Sequence, residues 1–288
     1  MQTLAVLQKR IKTTSDLLSV VKTMKTLAAV NIRHFDMAAQ SLTQYASVVE
    51  QGWTVLFRSG GVMLPTNKEN KAVVLVVGSD QGMCGQFNEL VMQAGLTAGE
   101  SLIEQGLEVA VWSIGERTRA ALEDAGKNPE LHFPMPGTLG GVDSIVNDLV
   151  ENMAEWQRRE MGRFHVVYNA QQEHEGYEPI NDHILPLDGK WGAQLALAKW
   201  PGRCLPQVFL PGETLFSELF KQHLFVSLYG AITRSMAAEN IARLAAMQAA
   251  EKNIEEMREE LQVNFRQTRQ NTITGELLDI MAGFEAIV

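Results

Sequence analysis

Cysteine is nearly absent: Cys84 and Cys204 are the only two in 288 residues, too few for a disulfide framework. No uncharged apolar run approaches the roughly 18 residues that a membrane-spanning helix needs. Lys9, Arg10 and Lys12 follow a short mixed N-terminal segment with no apolar stretch after them. That pattern is neither a secretory signal nor an Arg/Ser-rich transit peptide. The nucleotide fingerprints G-x-G-x-x-G and G-x-x-x-x-G-K-[ST] are missing, and so is the G-x-S-x-G nucleophile elbow. A net charge of −9 argues against nucleic acid as a partner of the whole chain. The composition is that of a soluble cytoplasmic protein, most simply prokaryotic.

Proline and glycine are missing from both ends of the chain. Residues 213–288 hold no proline, and glycine only at Gly230, Gly275 and Gly283. Ala, Leu, Glu, Gln, Met and Arg dominate there, the residues that lose least on entering a helix. As one helix, this stretch would be roughly 110 Å long at 1.5 Å per residue, more than a compact domain of this size can bury. Residues 1–51 hold neither glycine nor proline, the first breaker being Gly52. Positions 4, 7, 11, 14, 18, 21, 25, 28, 32 and 35 form a seam with three-and-four spacing, apolar except at Thr14 and Lys25. An ordinary amphipathic helix packed on its own domain would account for this seam alone. A second breaker-poor helix at the far end instead suggests that the two pair antiparallel, with the middle of the chain at one end.

Charge is uneven along the chain. Residues 1–58 carry seven Lys/Arg against three Asp/Glu, whereas residues 59–212 carry 11 against 20. The loop 59–70 is marked by Gly, Pro and Asn, and after it the hydrophobic period changes. "KAVVLVV", "LEVAVWSIG" and "FHVVYNA" read as buried strands, and they alternate with helical stretches that include "ERTRAALEDAG" and 143–160. The alternation predicts a parallel α/β sheet. Residues 171–206 resist assignment, and "PQVFLP" reads as a last edge strand.

Three features of the middle region could carry chemistry. The turn from Gly78 to Gly85 lies between a strand and a helix, where phosphates are cradled, but it has no lysine, and its glycines serve a tight turn equally well. Cys84 could be a thiol activated at a helix N-terminus, though a buried small hydrophobe is the commoner case. His165, His174 and His183, with Glu173 and Glu175, lack the spacing that puts two metal ligands on one helix face. An enzyme reading thus has a fold and no site. No catalytic residue, cofactor or metal ligand is expected.

Four segments, in order, resemble the gamma subunit of F-type ATP synthases. "RIKTTSDLLSVVKTMKTLAAVNIR" is similar to that family's opening R-I-x-S…T-x-x-I-T-x-A-M-x-M-V-A-A-x-K. "SDQGMCGQFN" resembles S-D-R-G-L-C-G-x-x-N, and "SMAAENIARLAAMQAAEKN" resembles S-x-A-S-E-x-x-A-R-M-x-A-M-x-x-A-x-x-N. "RQNTITGELLDIMAGFEAI" resembles R-Q-x-x-I-T-x-E-L-x-E-I-V-x-G-x-x-A-L. About half the chain is covered well, and 110–205 is only compatible.

The resemblance implies an α/β protein: an antiparallel coiled coil of long terminal helices, 1–58 and 213–288, and a Rossmann-like middle domain, 71–210. It implies the rotor shaft of a central stalk, non-catalytic, that transmits torque between the ion-driven c ring and a catalytic ring of three alpha and three beta subunits. The epsilon subunit is the further partner, and the location is peripheral, at the cytoplasmic face of the cell's inner membrane, with membrane contact only through the c ring. Arg269, Gln270, Thr274 and Glu276 would touch a beta-subunit loop. Ile280, Met281, Phe284, Ile287 and Val288 would form an apolar bearing tip. Gln81 for the family's Arg, Phe265-Arg266-Gln267 for Tyr-Asn-[Lys/Arg], and Thr23 and Thr26 are departures. They suggest a divergent or alternative ATPase branch. The rival readings are a coiled-coil adaptor, stable and monodisperse alone, and a Rossmann-fold enzyme that binds nucleotide by itself.

Overall fold

A computed structural model describes residues 3–59, 70–157, 161–172, 176–200, 202–204 and 206–285. The elements in order are α1 (Leu4–Arg58), β1 (Lys71–Val77), α2 (Phe87–Glu104), β2 (Glu108–Ile114), α3 (Glu116–Asp124), β3 (Leu131–Phe133), α4 (Leu139–Gln157), β4 (Met161–Gln171), β5 (Tyr177–Leu185), α5 (Gly189–Leu197) and α6 (Gly212–Glu285). Contacts divide the chain into two compact units, Met1–Ala29 with Arg243–Val288, and Val30–Ala242.

In the first unit the N-terminal part of α1 pairs antiparallel with the C-terminal part of α6. Lys25 meets Glu251, Lys22 meets Glu255, and Leu4 and Leu7 share a groove with Asn264 and Thr268. Leu18, Val21, Met247 and Ile254 form the apolar centre. Within α1, every seam position from 4 to 35 is buried or half-buried, while nearly all others up to Phe35 are exposed. The two polar seam positions are each satisfied. The Thr14 hydroxyl donates to the Arg10 carbonyl at 2.9 Å, and the Lys25 ammonium holds Glu251 at 2.5 Å. That contact is a charge-assisted bond.

The second unit is a five-stranded sheet of order β3-β2-β1-β4-β5, covered on both faces. β1 pairs parallel with β2 and β4, and β2 with β3, but β4 and β5 are antiparallel. The sheet is therefore mixed, not parallel throughout. β1 is buried on both faces, which explains its unbroken run of valine and leucine. Val73, Leu75 and Val77 face α4 and the α6 residues Leu224, Leu228, Ile232 and Met236. Ala72, Val74 and Val76 face α2 and Leu122 of α3.

One further expectation changes. "PQVFLP" forms no strand. Its Val208 and Phe209 are exposed, and β5 takes the edge position instead. α1 passes through Gly52, the first glycine of the chain, and runs on to Arg58. A side chain at position 52 would stand 2.6 Å from Leu219 Cδ2, so glycine lets α6 approach closely. Below that approach, fully buried Trp53 stacks on Phe57 and meets Trp191 and Phe216 edge-on. This aromatic cluster holds α5 against the two long helices.

Candidate functional site

The glycine turn after β1 is filled from within. Asn88, buried on the first turn of α2, accepts at Oδ1 from the Ser79 amide at 3.0 Å and from the Thr118 hydroxyl at 3.1 Å. Its Nδ2 donates to Ser79 Oγ at 2.9 Å and reaches Cys84 Sγ at 3.6 Å. Asp80 accepts from the amides of Glu116 and Met135 at 2.8 and 3.1 Å, tying the turn to α3 and to the segment after β3. A side chain on Gly78 would lie 1.6 Å from Thr118 Oγ1. The Ser79 and Glu116 amides, which could have met a phosphate, already have internal acceptors. Cys84 is buried in this knot with Ser79, Asn88 and the Gln81 carbonyl around its sulfur, whereas Cys204 is exposed. The S-D-x-G-x-C-G-x-x-N motif is here a device that closes the turn.

Two of the three histidines meet across the sheet. His165 and His183 pair across β4 and β5 with ring centroids 4.9 Å apart, and His165 Nδ1 lies 3.0 Å from Asn181 Oδ1. Burial pushes the His165 pKa down. His174, Glu173 and Glu175 lie outside the described residues. No cluster of three metal-ligating side chains occurs among the described residues.

Sequence reading missed a Ser113–His132–Glu116 alignment, with 3.0 Å from Ser113 Oγ to His132 Nδ1 and 3.1 Å from His132 Nε2 to Glu116 Oε1. It has the residue types of a hydrolytic triad. Ser113 is fully buried, so no substrate reaches its hydroxyl, and the alignment instead fastens β3 to β2 and α3. No sequence signal links these three residues, which come together only through strand pairing.

On α6, Arg269, Gln270, Thr274 and Glu276 are all exposed. Gln270 and Thr274 are joined, since the Thr274 hydroxyl donates to the Gln270 carbonyl at 2.9 Å. Ile280 and Met281 are exposed too, as are Leu277 and Leu278 before them. The side chain of Phe284, and Ile287 and Val288 entirely, lie outside the described residues. In the same unit, Val6, Leu17, Val20 and Leu27 of α1 are exposed. Among the described residues of this unit, nothing covers these apolar side chains.

A family profile described as ATP synthase matches residues 3–287. The ATP synthase gamma chain of Rhizorhabdus wittichii is 28% identical over 301 residues, covering all of both chains. That of Polynucleobacter asymbioticus is 24% identical over 286 residues, covering 98% of each. This chain belongs to the ATP synthase gamma-chain family. Among solved structures, a chain of the Euglena gracilis mitochondrial ATP synthase OSCP/F1/c-ring assembly superposes with a TM-score of 0.69. It has 14% identity and covers 99% of this chain and 94% of its own. A chain of the Tetrahymena thermophila mitochondrial ATP synthase central stalk/c-ring gives 0.58 at 16% identity, covering 80% and 99%. These two likenesses show a shared fold. No helix among the described residues is long and apolar enough to cross a membrane.

Proposed function

We propose that this gamma chain is the central-stalk rotor of an F-type ATP synthase or ATPase, a non-catalytic shaft. It carries torque between an ion-driven c ring and a ring of three alpha and three beta subunits. Membership of the gamma-chain family over the whole length is the observation that carries this reading. The exposed apolar side chains of the helix pair support it. Val6, Leu17, Val20 and Leu27 on one helix and Leu277, Leu278, Ile280 and Met281 on the other suit a surrounding protein sleeve better than water. Differential contact of such a surface with three catalytic sites would bias each among conformations already available to it.

The finer assignments follow from the same reading. On this reading Arg269, Gln270, Thr274 and Glu276 would meet a beta-subunit loop, with Ile280, Met281, Phe284, Ile287 and Val288 as the bearing tip. The middle segment, 71–210, is taken as a Rossmann-like domain that meets the epsilon subunit and the c ring, between the coiled-coil segments 1–58 and 213–288. The chain would then be held peripherally at the cytoplasmic face of the inner membrane. Lys22, one of the basic residues on α1, is engaged with Glu255 at 3.1 Å. That leaves Lys9 and Lys12 as the better candidates for facing acidic subunit surfaces.

Native mass spectrometry of the tagged chain, extracted in detergent from its own cells, tests the reading. Recovery with three copies each of two larger ATPase subunits is expected. Recovery alone, or only as a homo-oligomer, would refute the rotor and favour an adaptor.

A further inference from the structure

In the second unit, α6 lies on the sheet mostly through Leu224, Leu228, Ala231, Ile232, Met236 and Ala237. Such contacts resist separation but are non-directional, so they oppose rolling of the helix weakly. Beside them, a cavity of about 360 Å³ opens between α1, β5 and α6, lined by Leu42, Ile184, Val226, Gly230 and Arg234 among others. It gives the helix room to roll.

Among the described residues, two side-chain bonds from adjacent positions of α6 reach the sheet at this level. Arg234 donates from Nη1 to the Tyr168 hydroxyl at 3.3 Å, and Ser235 Oγ donates to the Val77 carbonyl at 3.3 Å. The Tyr168 hydroxyl in turn donates to Asp182 Oδ2 at 2.8 Å. One hydroxyl thus joins β4, β5 and α6. Burial, with the Asp182 bond, pushes the Tyr168 pKa to about 12. The hydroxyl therefore stays protonated and keeps its donor at any physiological pH. Tyr168 is almost fully buried, within a strand paired on both sides.

We propose that Arg234, Tyr168 and Asp182 form a polar pin that fixes the azimuth of α6 on the sheet, and that torque passing between the sheet and this helix is borne by the pin. The proposal rests on the rotor reading and deepens it. The three are positioning residues, since they touch no reacting atom. Hydrogen bonds weaken steeply with angle, so they supply the stiffness against rolling that apolar packing lacks.

The test uses the assembled catalytic ring with this chain inside it, driven by ATP. A rotation probe is fixed to the solvent face of α2 through Glu100→Cys, with exposed Cys204 replaced by serine. Angular fluctuation of the probe is recorded while the motor is stalled, together with unloaded ATP hydrolysis. Tyr168→Phe keeps the ring and removes one of the two crossing bonds. The angular variance should rise about twofold if directional bonds set the stiffness, with hydrolysis unchanged. Arg234→Met should match it, and Arg234→Lys should restore most of the wild-type stiffness, a rescue that a merely structural role would not predict. If Tyr168→Phe fails to assemble, the exposed Arg234 position carries the test. Variance equal to wild type in rotating Arg234→Met complexes overturns the pin. A wild-type complex that hydrolyses ATP without rotating the probe overturns the rotor reading, and the pin with it.

Discussion

Asn88→Ala tests whether the motif around residue 80 closes a turn or serves a ligand. The substitution removes the acceptor for the Ser79 amide and the Thr118 hydroxyl and the donor to Ser79 Oγ. Ser79 and Thr118 are fully buried, so water does not replace what is lost. The Ser79 amide keeps Thr118 Oγ1 as a second acceptor at 3.2 Å, which softens the loss. At about 1–3 kcal/mol for each buried group left without its partner, the cost should be about 3 kcal/mol. Thr118→Val should cost about 1 kcal/mol, because Asn88 still serves Ser79. The double substitution should cost less than the sum, since both act on one network.

Urea unfolding followed by near-ultraviolet circular dichroism reports the change, with Trp112 buried in the adjacent strand. For a unit of this size, about 3 kcal/mol moves the midpoint by about 1 M. A thiol reagent gives a second readout. The native chain should react quickly only at Cys204, and Asn88→Ala should also expose Cys84. An Asn88→Ala midpoint within about 0.2 M of wild type, with Cys84 still silent, would refute the closing role.

Gly115→Ala should destabilise the sheet unit by about 3 kcal/mol or more, because φ is +102° there and a Cβ would sit 2.7 Å from the Ser79 backbone; its thermal melt checks this. Trp53→Ala should cost about 3–5 kcal/mol and free α5, seen as faster proteolysis within 189–197. Glu251, bonded to Lys25, has its pKa held below the ordinary 4.5. Its contribution is therefore complete above that value and lost as pH falls through the lower folded-state value. Helical signal from the 1–29/243–285 pair should drop in that acid window, and Glu251→Gln should flatten the drop. An identical acid transition in the variant would contradict this assignment.

The long helices were legible because their seam is periodic and nothing interrupts it, down to the satisfied polar positions Thr14 and Lys25. β1, β2 and β4 were legible as β-branched runs, since strands buried on both faces need no alternation. β5 was not legible: "YEPINDHIL" carries proline and acidic residues, which an edge strand tolerates because one side makes no ladder bonds. β3 is too short to show a period. At the candidate site, residues 269–276 were visible only through the family resemblance, for an exposed helix face looks the same whether it meets a partner or water. The Arg234–Tyr168–Asp182 contact gave no signal at all, because β-strand pairing and helix docking bring its members together from three separate segments.

The pairing of the first and last helices also sets an order in time. Lys22 and Glu255, which meet in the finished protein, are 233 positions apart. At roughly 5–20 residues per second of synthesis, Glu255 is added about 12–47 s after Lys22. For nearly all of that interval Leu18 and Val21 lack their partners across the pair, because Met247 and Ile254 are added only just before Glu255. The N-terminal helix therefore spends its first moments as a sticky amphipathic rod. Until the C-terminus arrives, that apolar stripe is open to neighbouring chains.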